Sequence, residues 1–314
     1  MINVREMESY KDFGKVIVID NGTIEAYVTV DVGPRIIRYG FIGGQNLMQD
    51  DRKLLGNLTD EKYEEYYGEG KAWENLGGHR IWLSPESYPE TYYPDLDPVD
   101  YRIEPDGNTV SFYPPFETEN SVFKELIVTL PEDRDNAMLV TMRATNIGTK
   151  PLRFSIWGLT VSAQGGTEII PMNTDDTGLL SNRTIVAWPY TDMGDARVRW
   201  TNKYVTLKQD PAAVKPFKLG FDLKGGEVHY LLNGEVFTKF HMTHHPDGVY
   251  PDNGCSFETY TNPNFIEIES LSPLCDVAPG SRSESTELWI LRKAPEGTPD
   301  LTTDEGIDAF LEQL

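Results

Sequence analysis

Apolar and polar residues alternate with period two along most of this chain, a pattern that admits few folds. In Thr23–Val32, Ile24, Ala26, Val28, Val30 and Val32 point one way while Glu25, Tyr27, Thr29 and Asp31 point the other. That is the pattern of a half-buried strand. Similar runs occur at Lys15–Ile19, Arg35–Ile42, Thr109–Tyr113, Val122–Leu130, Ala137–Ala144, Leu152–Val161 and Thr184–Trp188. They continue at Val205–Lys208, Lys218–Leu223, Val228–Leu232, Val236–Met242, Ser256–Tyr260, Phe265–Leu271 and Ser285–Leu291. Asn21-Gly22, Asp106-Gly107, Asn233-Gly234 and Asp247-Gly248 punctuate them, and such pairs tolerate the positive φ of tight hairpins. About fifteen short strands with few helices predict an all-β sandwich or barrel. One helix is predicted near the end, with Thr302 and Glu305 as a capping box and Ile307, Phe310, Leu311 and Leu314 on one face. Glu61–Glu74 and Ser87–Asp100 read as long loops, which in a compact domain are often functional.

No repeat, low-complexity tract or linker divides the 314 residues, so residues 1–314 are expected to form a single domain. Fifty acidic residues against 28 basic ones give a net charge of −22. That surface disfavours nucleic acid and anionic membranes as partners and suits neutral ligands, or cations held by a few carboxylates. No run approaches the ~20 apolar residues of a membrane span, and no basic-then-apolar leader opens the sequence. The two cysteines, Cys255 and Cys275, form no CxxC pair, and a reducing, cytoplasmic setting is expected. No phosphate loop, dinucleotide fingerprint, GxSxG elbow or HExxH occurs, so no cofactor or metal is expected. His241-Met242-Thr243-His244-His245 invites a zinc reading, but in a strand His241 and His244 point to opposite faces. The oligomeric state stays open.

Four stretches can carry chemistry. In Phe265–Leu271, Ile266 and Ile268 face the core, so Glu267 and Glu269 share the other face, about 6–7 Å apart. Carboxyls that close raise each other's pKa and can serve as acid or base, or grip hydroxyls. A solvated face with salt bridges fits the same pattern. If Ser256–Tyr260 pairs with this strand, Glu258 adds a third carboxylate, and the cluster then needs Lys or Arg partners or a bound cation. The second stretch is Glu74-Asn75-Leu76-Gly77-Gly78-His79-Arg80-Ile81-Trp82. Its paired glycines let backbone approach a ligand, His79 is a natural proton donor, and Arg80 can fork two hydroxyls or a carboxylate. A glycine turn into a strand with a core His79 reads equally well. At Val32-Gly33-Pro34-Arg35, Arg35 opens a strand and either enters a site or pairs with an acid. Lys239 shares a face with His241 and can reach a ligand. Trp82, Trp157, Trp188, Tyr190 and Trp289 can stack on a sugar ring or fill the core.

Taken in order, these features resemble the galactose-mutarotase-like, or aldose 1-epimerase-like, superfamily. They lie nearest its branch known as domain of unknown function DUF4380. The resemblance is carried by Gly33-Pro34-Arg35-Ile36, Gly77-Gly78-His79-Arg80-Ile81-Trp82 with Ser84-Pro85-Glu86, and Trp157 with Thr160. It continues through Trp188-Pro189-Tyr190 and Phe265-Ile266-Glu267-Ile268-Glu269, followed by Pro279-Gly280 and Trp289. It implies a β-supersandwich with a sugar site on the concave face of one sheet. In such enzymes a late-strand Glu takes the anomeric proton and a His protonates the ring oxygen. Glu267 matches that Glu, with Glu269 as its rival. The family's His after an Asn-x-Gly turn is missing here, since Asn146-Ile147-Gly148 leads to Phe154–Thr160 without one, and His79 stands in an earlier segment.

Two functions compete. One is an aldose 1-epimerase-like isomerase acting on a free sugar, with Glu267 as base, His79 as acid, and Arg35, Asn75, Arg80, Trp188, Lys239, Glu258 and Glu269 binding substrate. It requires His79 and Glu267 to share a cavity. The other is a non-catalytic carbohydrate-binding sandwich, its cleft lined by aromatics and Arg with no acid near a ring oxygen. A glycosidase ranks third, because Glu267 and Glu269 lie on one strand and not across a bond.

Overall fold

In the computed structural model, which describes residues 2–314, the alternating runs stack into two large antiparallel sheets, and each predicted run contains a strand. The first sheet runs in the order Asn3–Met7, Val16–Asp20, Ile24–Thr29, Ile36–Phe41, Gly78–Ser84, Leu152–Ser162, Phe265–Leu271, Phe257–Asn262, Phe217–Phe221, Ile185–Ala187. Cys275–Val277 pairs with the start of Leu152–Ser162. The second sheet runs Val198–Trp200, Tyr204–Lys208, Thr167–Pro171, Glu227–Leu232, Glu235–His241, Arg282–Lys293, Ala137–Asn146, Val122–Thr129, Thr109–Tyr113, Asp100–Ile103. Among the described residues no helix is long and apolar enough to cross a membrane.

The inner faces meet in one core, where Tyr39, Phe237 and Trp289 pack edge to face with ring centroids 5.0–5.6 Å apart. Large aromatics fully removed from water dominate such a core, each worth roughly 1.5–3 kcal/mol. A polar seam also crosses it. Lys239 Nζ donates to the carbonyls of Gly158 and Ile268 at 2.8 Å each and lies 3.1 Å from Glu287. Glu287 also accepts from Ser270 and from the Trp289 indole.

Three expectations change. Ile24–Thr29 is buried throughout and not half-buried, because its outer face is covered too: Tyr27 packs edge-on to Tyr10 at 5.1 Å and Glu25 pairs with Arg38. Within the expected loop Glu61–Glu74, Glu61–Tyr67 is an α-helix, capped by the Asp60 carboxylate accepting from Tyr63 N. The C-terminal helix, Asp304–Leu311, is capped by Thr303 and not Thr302, whose hydroxyl donates to Asp300. Its Ile307 and Phe310 pack on Ile169 and Val236, on the outside of the second sheet.

The short helix braces the segment after Gly78–Ser84. Tyr63 Oη donates to the Tyr92 carbonyl at 2.9 Å and Tyr67 Oη to that of Glu90 at 3.0 Å. This segment, residues 85–99, forms one wall of a cleft over the outer face of the first sheet.

Candidate functional site

The cleft floor follows from strand parity. Asn262 Oδ1 accepts from the backbone N–H groups of Asn264 and Phe265, closing a tight hairpin between Phe257–Asn262 and Phe265–Leu271. The register sets Glu258 opposite Glu269 and Tyr260 opposite Glu267. Ile266 and Ile268 enter the core, so Glu267 and Glu269 take the outer face. The neighbouring strands set Leu159 opposite Glu269 and opposite Arg80, Trp157 opposite Trp82, and Lys218 opposite Tyr260. One sheet face thus carries three carboxyls, two cations and several aromatics beneath a cleft of about 450 Å³.

The charges are arranged in two groups. Lys218 Nζ lies 2.7 Å from Glu258 Oε2 and 3.2 Å from Glu269 Oε2, and 4.9 and 4.7 Å from the Trp157 and Trp188 ring centres. Glu269 also accepts from the Trp157 indole at 2.9 Å. Burial opposes the charge on Lys218, but Glu269 and Glu258 outweigh it, and its pKa rises well above the usual lysine value. Burial raises Glu258 to about 8 against the pull of Lys218. The second group is Arg80 with Glu267, joined by one hydrogen bond of 3.2 Å. Burial pushes Glu267 up to about 7, with Arg80 pulling it down and Glu269 pushing it further up. Of the three clustered carboxyls only Glu267 lines the cleft. A carboxyl near pKa 7 at a wet opening can give or take a proton at neutral pH.

The other expected site residues divide. Asn75 lines the cleft, with its Oδ1 accepting from Gly77 N. Trp188 does not line the cleft and packs instead against Gly220 and the Lys218 ammonium. Arg35 does not line it. Its guanidinium is bound to Asp95 at 2.6 Å and to the Pro34 carbonyl at 2.9 Å, tying down the cleft wall. Lys239 belongs to the inter-sheet seam and reaches no ligand from there. His79 is likewise on the core side. It neighbours Arg80 in the strand, and successive side chains take opposite faces. Its Nδ1 meets Thr160 Oγ1 at 2.9 Å and its ring stands edge-on to Trp289 at 5.1 Å. Burial, then Lys239, Arg35 and Arg80, hold its pKa well below the usual value, so it stays neutral and does not share a cavity with Glu267. Gly77 and Gly78 admit backbone and not ligand: a Cβ on either would overlap the carbonyl oxygens of Gln49 and Ile36. His241 bonds Ser285 within the core while His244 stacks on Tyr250.

Lys218, Trp73 and the Glu86–Tyr92 pair are cleft residues that sequence reasoning passed over. Lys218 had a signal in its strand run, since it shares outward parity with Gly220, opposite Glu258. The pairing itself is non-local and unreadable from spacing.

The sequence matches no family model and no curated protein. Solved structures are similar throughout. A candidate mutarotase from Salmonella typhimurium is 10% identical, with a TM-score of 0.57 over 93% of this chain and 97% of that one. A galactose mutarotase-like protein from Lactobacillus casei is 12% identical, with a TM-score of 0.51 over 88% and 100%. A candidate aldose 1-epimerase from Escherichia coli K12 is 12% identical, with a TM-score of 0.50 over 93% and 100%. The fold is therefore the galactose mutarotase-like sandwich; at these identities the likeness extends no further than the fold.

Proposed function

We propose that the cleft binds a carbohydrate and that Glu267 acts there as general base in an aldose 1-epimerase-like reaction. The observation that carries this reading is the placement of Glu267. It is the one clustered carboxyl open to the aromatic-walled cleft, it is held by Arg80, and burial raises its pKa to about 7. As base it takes the proton of the anomeric hydroxyl, the bond from the anomeric carbon to the ring oxygen breaks, and solvent water supplies the proton that the ring oxygen takes up. Closure on the other carbonyl face gives the second anomer. Tyr190, which is exposed, and Tyr260, which is half-buried, offer apolar surface to the sugar's CH face. Placement in the DUF4380 branch rests on sequence motifs alone.

The second reading, binding without turnover, is favoured by one specific fact. His79 lies behind the sheet, and among the described residues no histidine lines the cleft to protonate a ring oxygen. Exchange NMR on a panel of reducing sugars separates the two. Catalysis predicts faster α/β interconversion that Glu267→Gln lowers by about 100-fold or more, the usual scale of general-base catalysis. Saturable binding without acceleration for any sugar would refute the epimerase and leave a carbohydrate-binding sandwich.

A further inference from the structure

Building on the carbohydrate reading, we propose that the ligand is a sugar bearing a carboxylate, a uronate, whose carboxylate is gripped by Arg80 with the indole N–H groups of Trp73 and Trp82. Arg80 is 2% exposed, yet only its Nη2 has an acceptor; Nε and Nη1 are buried with none. The indole nitrogens of Trp73 and Trp82 are buried without acceptors as well. All three side chains line the same cleft and stack together. The guanidinium carbon is 4.3 Å from the Trp82 ring centre and 5.7 Å from that of Trp73, and the two indoles are 5.6 Å apart.

Guanidinium and indole nitrogens only donate. A buried set of donors short of acceptors calls for a ligand group made of acceptors, and a planar carboxylate matches the guanidinium fork. Sugar hydroxyls, each donor and acceptor at once, match it less well. The charge balance selects a monoanion over a phosphate. Lys218 is already shared by Glu258 and Glu269, leaving Arg80 as the cation at this end, and Glu267 and Glu86 line the same cleft and repel a second negative charge.

The test is calorimetric titration of the full chain at pH 7 with galacturonate and glucuronate, their neutral parents, and galactose 6-phosphate. The proposal expects uronates to bind about tenfold tighter than their parents, from a charge-assisted bidentate contact. Arg80→Met should abolish the preference. Trp82→Phe keeps the ring and removes the N–H, so it should reduce the preference even if Arg80→Met does not fold. Neutral sugars binding as tightly as uronates would overturn the carboxylate assignment and leave the carbohydrate reading standing. Tighter binding of the sugar phosphate would overturn it in favour of a dianion. If no sugar binds, the carbohydrate reading falls and this inference with it.

Discussion

Lys218→Met tests the electrostatics of the cleft floor. Methionine keeps the stem between Trp157 and Trp188 but removes the ammonium that sits 2.7 Å from Glu258 and 3.2 Å from Glu269. The Lys218 side chain is 7% exposed and those of Glu258 and Glu269 are 1% and 0%, so solvent cannot substitute for it. Stranding one side of a buried ion pair costs about 3–5 kcal/mol. At roughly 2.1 cal/mol/K of unfolding entropy per residue, this chain should lose about 5–8 °C in Tm. The loss must depend on pH. Glu258 and Glu267 have folded pKa values of about 8 and about 7 against 4.5 in the unfolded chain. The folded state therefore holds extra protons across that window, and stability falls as pH rises through it. Lys218 lowers both pKa values, so its removal extends the window upward, and the variant should lose more at pH 8.5 than at pH 5.5. Glu258→Gln added to Lys218→Met removes one stranded carboxylate and should restore about half of the lost Tm. Scanning calorimetry from pH 5 to 8.5 reads all of this. An equal Tm drop at both ends of the range, with no recovery in the double variant, would refute the account.

Two further substitutions probe the other side of the sheet. His79→Gln should leave sugar affinity and any interconversion rate within roughly twofold, because its side chain faces the core and not the cleft; titration and exchange NMR check this, and lost activity in a folded variant would sink the parity argument. Gly158→Ala places a methyl onto Glu287 Oε1 and Met142, an overpacking cost of about 1–3 kcal/mol or more. Thermal unfolding should show it as a fall of about 2–5 °C, and an unchanged Tm would mean that the Lys239–Glu287 seam is not held where described.

The sequence carried most of the strands, because one wet or polar face per strand leaves its period in the residues. Where two covered faces each mix polar and apolar side chains the period vanishes. Gly78–Ser84 is buried at every position but one, which is why its parity, and with it the side taken by His79, could not be read. Asn3–Met7 is a mostly exposed edge with only Val4 and Met7 half-buried, so it gave no signal either. The Glu267, Glu269 and Glu258 cluster was legible because a tight turn brings two alternating runs together locally. Lys218 and Arg80 reach that cluster from strands far along the chain, and such pairings leave no trace in spacing. The Glu61–Tyr67 helix was missed for want of an apolar stripe, although Asp60 offered its cap.

The strand Gly78–Ser84 writes two messages in alternate letters. His79 speaks to the polar seam and Trp289, while Arg80 and Trp82 speak to the cleft. Substitutions in one set of letters need not disturb the other, so a lineage can redraft its ligand chemistry while the architecture stays legible. A sandwich that keeps its shape at 10% identity to its neighbours is what such interleaved drafting leaves behind. The same logic tells an engineer where to write: odd and even positions of this strand are separate design problems.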